Sequence, residues 1–304
     1  MRTPLQGGLP PVGAVDGAVV EIACDESGFS GTNLLDPAMP VITHASVDLS
    51  PDEAVALIRE LRTVVPANLP SELKSGKVLR RPGVLEWFLG ALQGRSHVLV
   101  VDKEFFLVTR VVDLFLGEPS YAAGTRLAGA HPQAALALYE AGRSAGGDWH
   151  VFLRAFIHLV RAKRRRPPRE SVAEFTAARD ALIHRGAGTV LDGVTTERVW
   201  DVVTRLDNDD RSLPPPLEPL LPALAETVLH WSGEQGRRVL VTHDEQSALT
   251  ADRLTRLQRA LARDGRPSPL AGLVMADSRD DPRVQIADLL AGAARRTPRG
   301  WLSG

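Results

Sequence analysis

Strand-type sequence lies towards both ends of the chain, and residues 105–235 between them show only helical periodicity. The apolar, β-branched runs are at 18–24, 41–47, 97–101, 238–242 and 270–276. A sheet made from both groups must bring the two parts of the chain together. The pattern therefore predicts an α/β core at 18–104 and 236–297, with a helical insertion at 105–235. Residues 1–17 are predicted to be a flexible lead-in.

Two helix starts are marked by capping residues. Ser50, Pro51 and Glu53 form a capping box with proline at the first helical position, before an apolar repeat that Pro66 ends. Asp281 as the N-cap and Pro282 at the first helical position begin a last helix, which is predicted to run to about residue 296. Helices that alternate with strands favour a sheet covered on both faces.

Composition excludes several classes of protein. Lys and Arg number 36 against 37 Asp and Glu, so no strong overall field draws the chain to nucleic acid or to anionic lipid. The single cysteine, Cys24, cannot form an internal disulfide, which favours a cytoplasmic location. No apolar run approaches the length of a membrane span. The chain has neither a Walker-type phosphate loop nor a GxSxG motif, which argues against an ATPase and an α/β-hydrolase.

Acidic residues follow four of the five predicted strands. They are Asp25-Glu26, Asp102, Asp244-Glu245 and Asp277. Any one of them taken alone is typical of a turn former or a helix cap. In an open α/β sheet, however, ligands bind at the carboxyl ends of the strands. Carboxylates gathered at one edge repel each other unless a cation lies among them, and all-oxygen ligation suits Mg²⁺ or Mn²⁺.

Asp288 lies on the last predicted helix among apolar residues and shares a helix face with Gln285. A carboxylate near the apolar side of a helix needs a partner. The spacing leaves open whether that partner is a metal ion or an arginine.

Four motifs in this order resemble one bacterial family. CDESG begins at Cys24, SELKSG at Ser71, THDEQ at Thr242 and MADSRDDPRVQIADLLAG at Met275. The chain is similar, over about residues 19–294, to the domain of unknown function 3800 family, which is regarded as related to RNase H. The resemblance implies an RNase H-like fold: a mixed sheet flanked by helices, with a large helical insertion here. It also implies an acidic site for two divalent ions.

The resemblance assigns roles residue by residue. Asp25 is implied as the carboxylate that bridges the ions, with Glu72, Asp244 and Asp288 as the other catalytic ligands. Further candidate metal ligands are Glu26 and Asp277, with Asp102 and Glu245 as second choices. Lys74 is expected to meet a phosphate oxygen or to neutralise the acidic cluster, and Gln285 to orient a ligand.

These expectations describe a nuclease that hydrolyses phosphodiester bonds with two Mg²⁺ or Mn²⁺ ions, one activating water and one stabilising the leaving oxygen. A non-catalytic nucleic-acid- or protein-binding module that retains the fold is the alternative. Strand transfer, as in integrase-like relatives of the fold, is a third possibility.

A basic run at residues 161–169 is the candidate nucleic-acid contact. Lys163, Arg164, Arg165 and Arg166 form its centre, and neutralising several phosphates would make binding strongly dependent on salt. The alternative interpretation is a solvated helix end followed by a proline stop.

Overall fold

The computed structural model describes residues 19–29, 33–64, 73–127, 130–161, 167–234, 236–262 and 266–298. The strands are β1 (Val19–Ser27), β2 (Val41–Val47), β3 (Ser96–Asp102), β4 (Arg238–His243) and β5 (Leu270–Met275). The helices before β4 are α1 (Pro51–Val64), α2 (Ser75–Val78), α3 (Pro82–Ala91), α4 (Lys103–Phe115), α5 (Tyr121–Gly124), α6 (Pro132–Ser144), α7 (Gly147–Val160), α8 (Pro168–Leu182), α9 (Gly188–Leu191), α10 (Thr196–Asp207) and α11 (Leu220–Ser232). A π-helical turn, Ile183–Ala187, joins α8 to α9, and α12 (Ala251–Leu261) and α13 (Pro282–Arg296) follow β4 and β5.

The five strands form one mixed sheet in the order β3-β2-β1-β4-β5. β2 is antiparallel to β1, whereas β4 and β5 run parallel to it. Backbone hydrogen bonds from Asp48 to Arg95 and from Lys103 to Pro40 show that β3 is antiparallel to β2. The carboxyl ends of β1, β3, β4 and β5 therefore point the same way. This α/β class with a mixed sheet flanked by helices confirms the coarse fold prediction.

The chain divides into two compact units. The sheet unit contains the described residues of Met1–Ser30, Val41–Val101 and Ala223–Gly304, and the helical unit those of Gly31–Pro40 and Asp102–Pro222. The sequence placed 223–235 in the insertion, but the structure groups the described residues 223–234 with the sheet. The reason is that Thr227 and Trp231 of α11 hydrogen-bond to His44 and Ser46 of β2. The predicted lead-in, 1–17, lies outside the described residues.

One core of the sheet unit lies between the sheet and helices α1, α3 and α13. Ala23, Ala45 and Val47 supply its sheet side, and Leu61, Phe88 and Leu289 are among the helix residues buried against them. The apolar repeat of α1 ends at Val64, close to the predicted stop. Its capping box forms as expected, because the backbone N–H of Ser50 donates to the Glu53 carboxylate at 2.7 Å.

The helical unit has its own aromatic core. Phe115, Phe152, Phe156 and Phe175 contact one another with ring centroids 5.3–6.2 Å apart, and all four are fully buried. None of the helices in the described ranges is both long and apolar enough to span a bilayer.

Candidate functional site

Asp25 and Glu26 lie inside β1 rather than after it. The sequence predicted that this strand ends at Cys24, but pairing with β2 continues as far as Ser27 opposite Thr43. Side chains of successive strand residues point to opposite faces of a sheet, so the two carboxylates belong to different faces. Asp25 shares its face with Ala45, and Glu26 shares the other face with His44.

Helix α13 covers the face that carries Asp25. Asp281 caps the helix by accepting the backbone N–H of Arg283 at 2.9 Å. The buried Arg283 guanidinium also binds Glu21 of β1 at 2.7 Å. At the other end, Arg295 donates to the Ser27 hydroxyl at 3.0 Å. Glu21, Asp25 and Ser27 alternate along β1, so these two contacts fix α13 along the face on which Asp25 lies.

Asp288 projects from α13 with its side chain 21% exposed, and its partner is Lys74 at 3.5 Å. The sequence left a metal ion or an arginine as alternatives for this partner, and the structure supplies a lysine. Lys74 directly precedes α2, which lies close to α13. A Cβ atom on Gly292 would fall 2.1 Å from the Ser75 hydroxyl, so only glycine permits this approach. Arg296 also donates to the Ser75 hydroxyl at 2.9 Å.

Asp25 lies at the centre of a group of acids near the carboxyl ends of β1 and β4, which also contains Glu26, Asp244 and Asp288 and is called the acidic edge below. Its side chain is almost fully buried, and burial raises the pKa of its carboxyl well above the ordinary value. The negative charges of Glu26, Asp288 and Asp244 raise that pKa further, while the backbone N–H of Glu26, 2.7 Å from Oδ1, opposes the rise. Three other carboxylates that the sequence singled out thus act on Asp25.

Two other predicted acids have different surroundings. Asp277 is paired with Arg279, whose guanidinium and backbone N–H lower the pKa of the Asp277 carboxyl to about 2. Asp102 caps α4 by accepting the backbone N–H of Phe105 at 2.8 Å, and the Tyr139 hydroxyl donates to it at 3.3 Å. Both act as the turn former and helix cap that strand-end acids commonly are.

Several predicted residues cannot be placed. Glu72 lies outside the described residues, and so do Lys163, Arg164, Arg165 and Arg166. Within the described ranges, no three His, Cys, Asp or Glu side chains converge in a geometry that could hold a metal ion. Glu245 is exposed on the loop after β4, and Gln285 is buried in α13.

On the opposite face of the sheet, sequence analysis missed a buried polar network. His44 of β2 and His243 of β4 face each other with 3.2 Å between their Nε2 atoms, and both rings are fully buried. Nδ1 of His44 lies 2.9 Å from the Thr227 hydroxyl, and Nδ1 of His243 lies 2.9 Å from the Asp244 carbonyl oxygen. Burial lowers the pKa of His44 well below its usual range, and the neighbouring His243 and His97 lower it further.

Glu26 closes this network. One of its carboxylate oxygens accepts a hydrogen bond from the Gln246 amide, and Oε2 lies 3.9 Å from Nε2 of His243. Of the two histidines, only His243 lies within one of the acidic motifs of the sequence, THDEQ. Nothing in the spacing of His44 or Thr227 reveals them, because the contacts depend on the register of three strands.

No family model, curated protein or solved structure matches this chain.

Proposed function

We propose that this chain is a metal-dependent nuclease that hydrolyses phosphodiester bonds with two divalent cations bound at the acidic edge of the sheet. The observation that carries the proposal is Asp25: a buried carboxylate on the central strand whose neighbours are three more carboxylates. Such an arrangement destabilises the protein unless a cation compensates it. The resemblance to the domain of unknown function 3800 family and the mixed sheet flanked by helices support an RNase H-like interpretation of the fold.

The side chains fit Mg²⁺ or Mn²⁺ by chemistry. Asp25, Asp244 and Asp288 offer only oxygen atoms, which these hard cations prefer. Asp25 lies on β1, Asp244 directly follows the parallel neighbour β4, and α13 brings Asp288 to the face of Asp25. Glu72 is the fourth ligand in the proposal, on the strength of the SELKSG motif alone.

Bound divalent cations would supply Lewis acidity for water attack and for departure of the leaving oxygen. The chain's own residues would position the ions and bind the substrate phosphate. The β1–β4 ladder fixes the backbone positions of Asp25 and Asp244, and their side chains would have to converge to hold an ion, since no three described acids do so in this structure. The Lys74 ammonium is 56% exposed beside Asp288, where it can also bind a phosphate oxygen.

Nucleic acid is the proposed substrate class. The acidic edge by itself repels a polyanion, so the chain needs cationic contacts elsewhere. Lys163, Arg164, Arg165 and Arg166 are proposed for that role from the sequence.

Calorimetric titration with Mn²⁺ tests the proposal. We expect the native chain to bind Mn²⁺, and Asp25→Asn and Asp288→Asn to weaken that binding at least tenfold. Asp277→Asn is the matched control, because Arg279 already neutralises that carboxylate; it should bind as the native chain does. Cleavage of single-stranded and duplex DNA and RNA should require the metal and stop in EDTA.

Two results would contradict the proposal that this chain is a nuclease. Absence of Mn²⁺ binding, both alone and with nucleic acid present, would remove the two-metal mechanism. Nucleic-acid binding that persists in EDTA, without cleavage under any metal condition, would instead establish the non-catalytic binding module.

A further inference from the structure

We propose that His243 and His44 are positioning residues for the acidic edge, acting as a buried hydrogen-bonded pair of imidazoles that fixes Asp244 against β1. This inference rests on the proposed function, because it concerns the geometry of that site. Neither ring lies on the face that carries Asp25. Their effect passes through the backbone of Asp244 and through Glu26.

The contacts allow only one hydrogen-bonding pattern for two neutral rings. A carbonyl oxygen can only accept, so Nδ1 of His243 must carry the proton that it shares with the Asp244 carbonyl. Nε2 of His243 is then an acceptor, and Nε2 of His44 must donate to it across 3.2 Å. Nδ1 of His44 is left as an acceptor for the Thr227 hydroxyl at 2.9 Å. Every ring nitrogen of the pair is satisfied.

This pattern immobilises Asp244. Its backbone N–H donates to the Cys24 carbonyl of β1 at 3.2 Å, which extends the β1–β4 ladder by one residue. Its carbonyl accepts from His243 at 2.9 Å. With both backbone polar groups held, the direction in which the Asp244 carboxylate leaves β4 is set by the sheet rather than by the loop that follows.

Glu26 belongs to the same network. Its side chain is 9% exposed, Gln246 holds one oxygen, and the other oxygen makes no hydrogen bond within the described part of the chain. Because Glu26 directly follows Asp25, fixing its side chain on the histidine face also fixes the rotation of β1 that directs Asp25 to the other face. The pair therefore links β2, β1 and β4 at the edge where the proposed ligands lie.

A second histidine pair in the sheet unit provides a matched control. His97 and His230 stack with ring centroids 3.7 Å apart. His97 lies on β3, which β2 separates from β1, and its ring packs on His230 rather than on the acidic edge. Loss of the His97 imidazole changes a neighbour of His44 without removing any hydrogen bond of the His44–His243 pair or of Asp244.

The experiment combines Mn²⁺ calorimetry with substitutions that retain or remove single hydrogen bonds. His243→Leu removes the bond to the Asp244 carbonyl, and we expect Mn²⁺ affinity to fall about 10- to 100-fold, as when residues that orient metal ligands are lost. His243→Asn places an amide N–H where Nδ1–H was but removes the Nε2 acceptor of His44, so its Mn²⁺ affinity should fall between those of the native chain and His243→Leu. His44→Gln keeps a donor at the Nε2 position and should bind within about threefold of the native chain. His97→Leu should match the native chain.

Long-range ¹H–¹⁵N spectra of the native protein give a readout that does not depend on metal or on the variants folding. We expect the Nδ1–H tautomer for His243 and the Nε2–H tautomer for His44. The Nε2–H tautomer at His243 would overturn the inference, since Nδ1 would then have no proton to donate to the Asp244 carbonyl.

The outcomes separate this inference from the proposed function. If the native chain binds Mn²⁺ and His243→Leu binds it equally, the positioning role is wrong and the nuclease proposal stands. The positioning role is also overturned if His243→Asn loses as much affinity as His243→Leu, because the carbonyl bond would then be irrelevant. If the native chain binds no Mn²⁺ with or without nucleic acid, both proposals fail.

Discussion

Burying the Asp25 carboxylate beside other acids lowers the free energy of unfolding of the chain when that carboxylate is charged. A carboxylate whose pKa is raised in the folded state takes up protons on folding, at pH values between its unfolded and folded pKa. Its contribution to stability is therefore lost as pH rises from the unfolded pKa through the raised folded one. Without a divalent ion, the folded chain carries this cost at neutral pH.

We accordingly expect Asp25→Asn to be more stable than the native chain in EDTA at pH 7. The gain should be a few degrees in melting temperature, since 1 kcal/mol corresponds to roughly 2–4 °C in chains of 150–250 residues. The difference should shrink as pH falls towards 4, because the native carboxyl then takes up its proton. A variant that melts below the native chain at pH 7 would show that the negative charge of Asp25 is compensated inside the protein.

For single residues, the sequence predicts the contacts that form between residues close together along the chain. The capping residues Ser50, Glu53 and Asp281 all act as predicted, because a cap is formed within three residues along the chain. The His44–His243 contact joins residues 199 positions apart and needs the strand register to be known. The family resemblance implied that Lys74 meets a phosphate oxygen or neutralises the acidic cluster, but it did not identify Asp288 as the partner, because Lys74 reaches that residue only when α2 packs on α13.

Among the secondary-structure elements, α13 makes the most contacts that shape the candidate site. It carries Asp288, it is held to β1 at both ends, and it accepts α2 at Gly292. The sequence predicted this helix within a residue, because Asp281 and Pro282 mark its start. The approach of α2 was not predictable, since a glycine within a helix indicates close packing only when the neighbouring element is known.

Substituting Gly292 with alanine tests this packing. Alanine ordinarily stabilises a helix interior by about 1 kcal/mol relative to glycine. Here the added methyl group would meet the Ser75 hydroxyl, so we expect a net loss of about 1–3 kcal/mol, in the range measured for overpacked cores. Thermal denaturation of Gly292→Ala and of the double variant Gly292→Ala/Ser75→Gly measures it. The second change should restore most of the loss, and a double variant no more stable than Gly292→Ala would exclude this contact as the cause.

The whole chain divides into two units with separate cores. Predicting a sheet formed from two parts of the chain was possible because strand-type sequence is absent between them. The boundary between the two units could not be predicted, because α11 has ordinary helical periodicity. Its place in the sheet unit depends on its hydrogen bonds to His44 and Ser46.

Separate cores should melt as separate cooperative transitions. Arg110 of the helical unit is buried, lies 3.1 Å from Asp113 and donates to the carbonyls of Gly124 and Arg126. Arg110→Ala leaves a buried carboxylate without its partner, which costs about 3–5 kcal/mol. In calorimetric scans in EDTA, this variant should lower one transition, and Asp25→Asn should raise the other. A single transition that moves with both substitutions would mean that the two units unfold as one.

The placement of Asp25 and Glu26 on opposite faces also restricts how this sequence can change during evolution. Inserting or deleting one residue between Val19 and Asp25 would exchange the two carboxylates, directing Glu26 to α13 and Asp25 to the histidines. Substitutions in this segment alter only one side chain, whereas a change of length exchanges two environments at once. Descendants of this chain are therefore expected to vary in the residues of β1 while conserving the number of residues before the acidic pair.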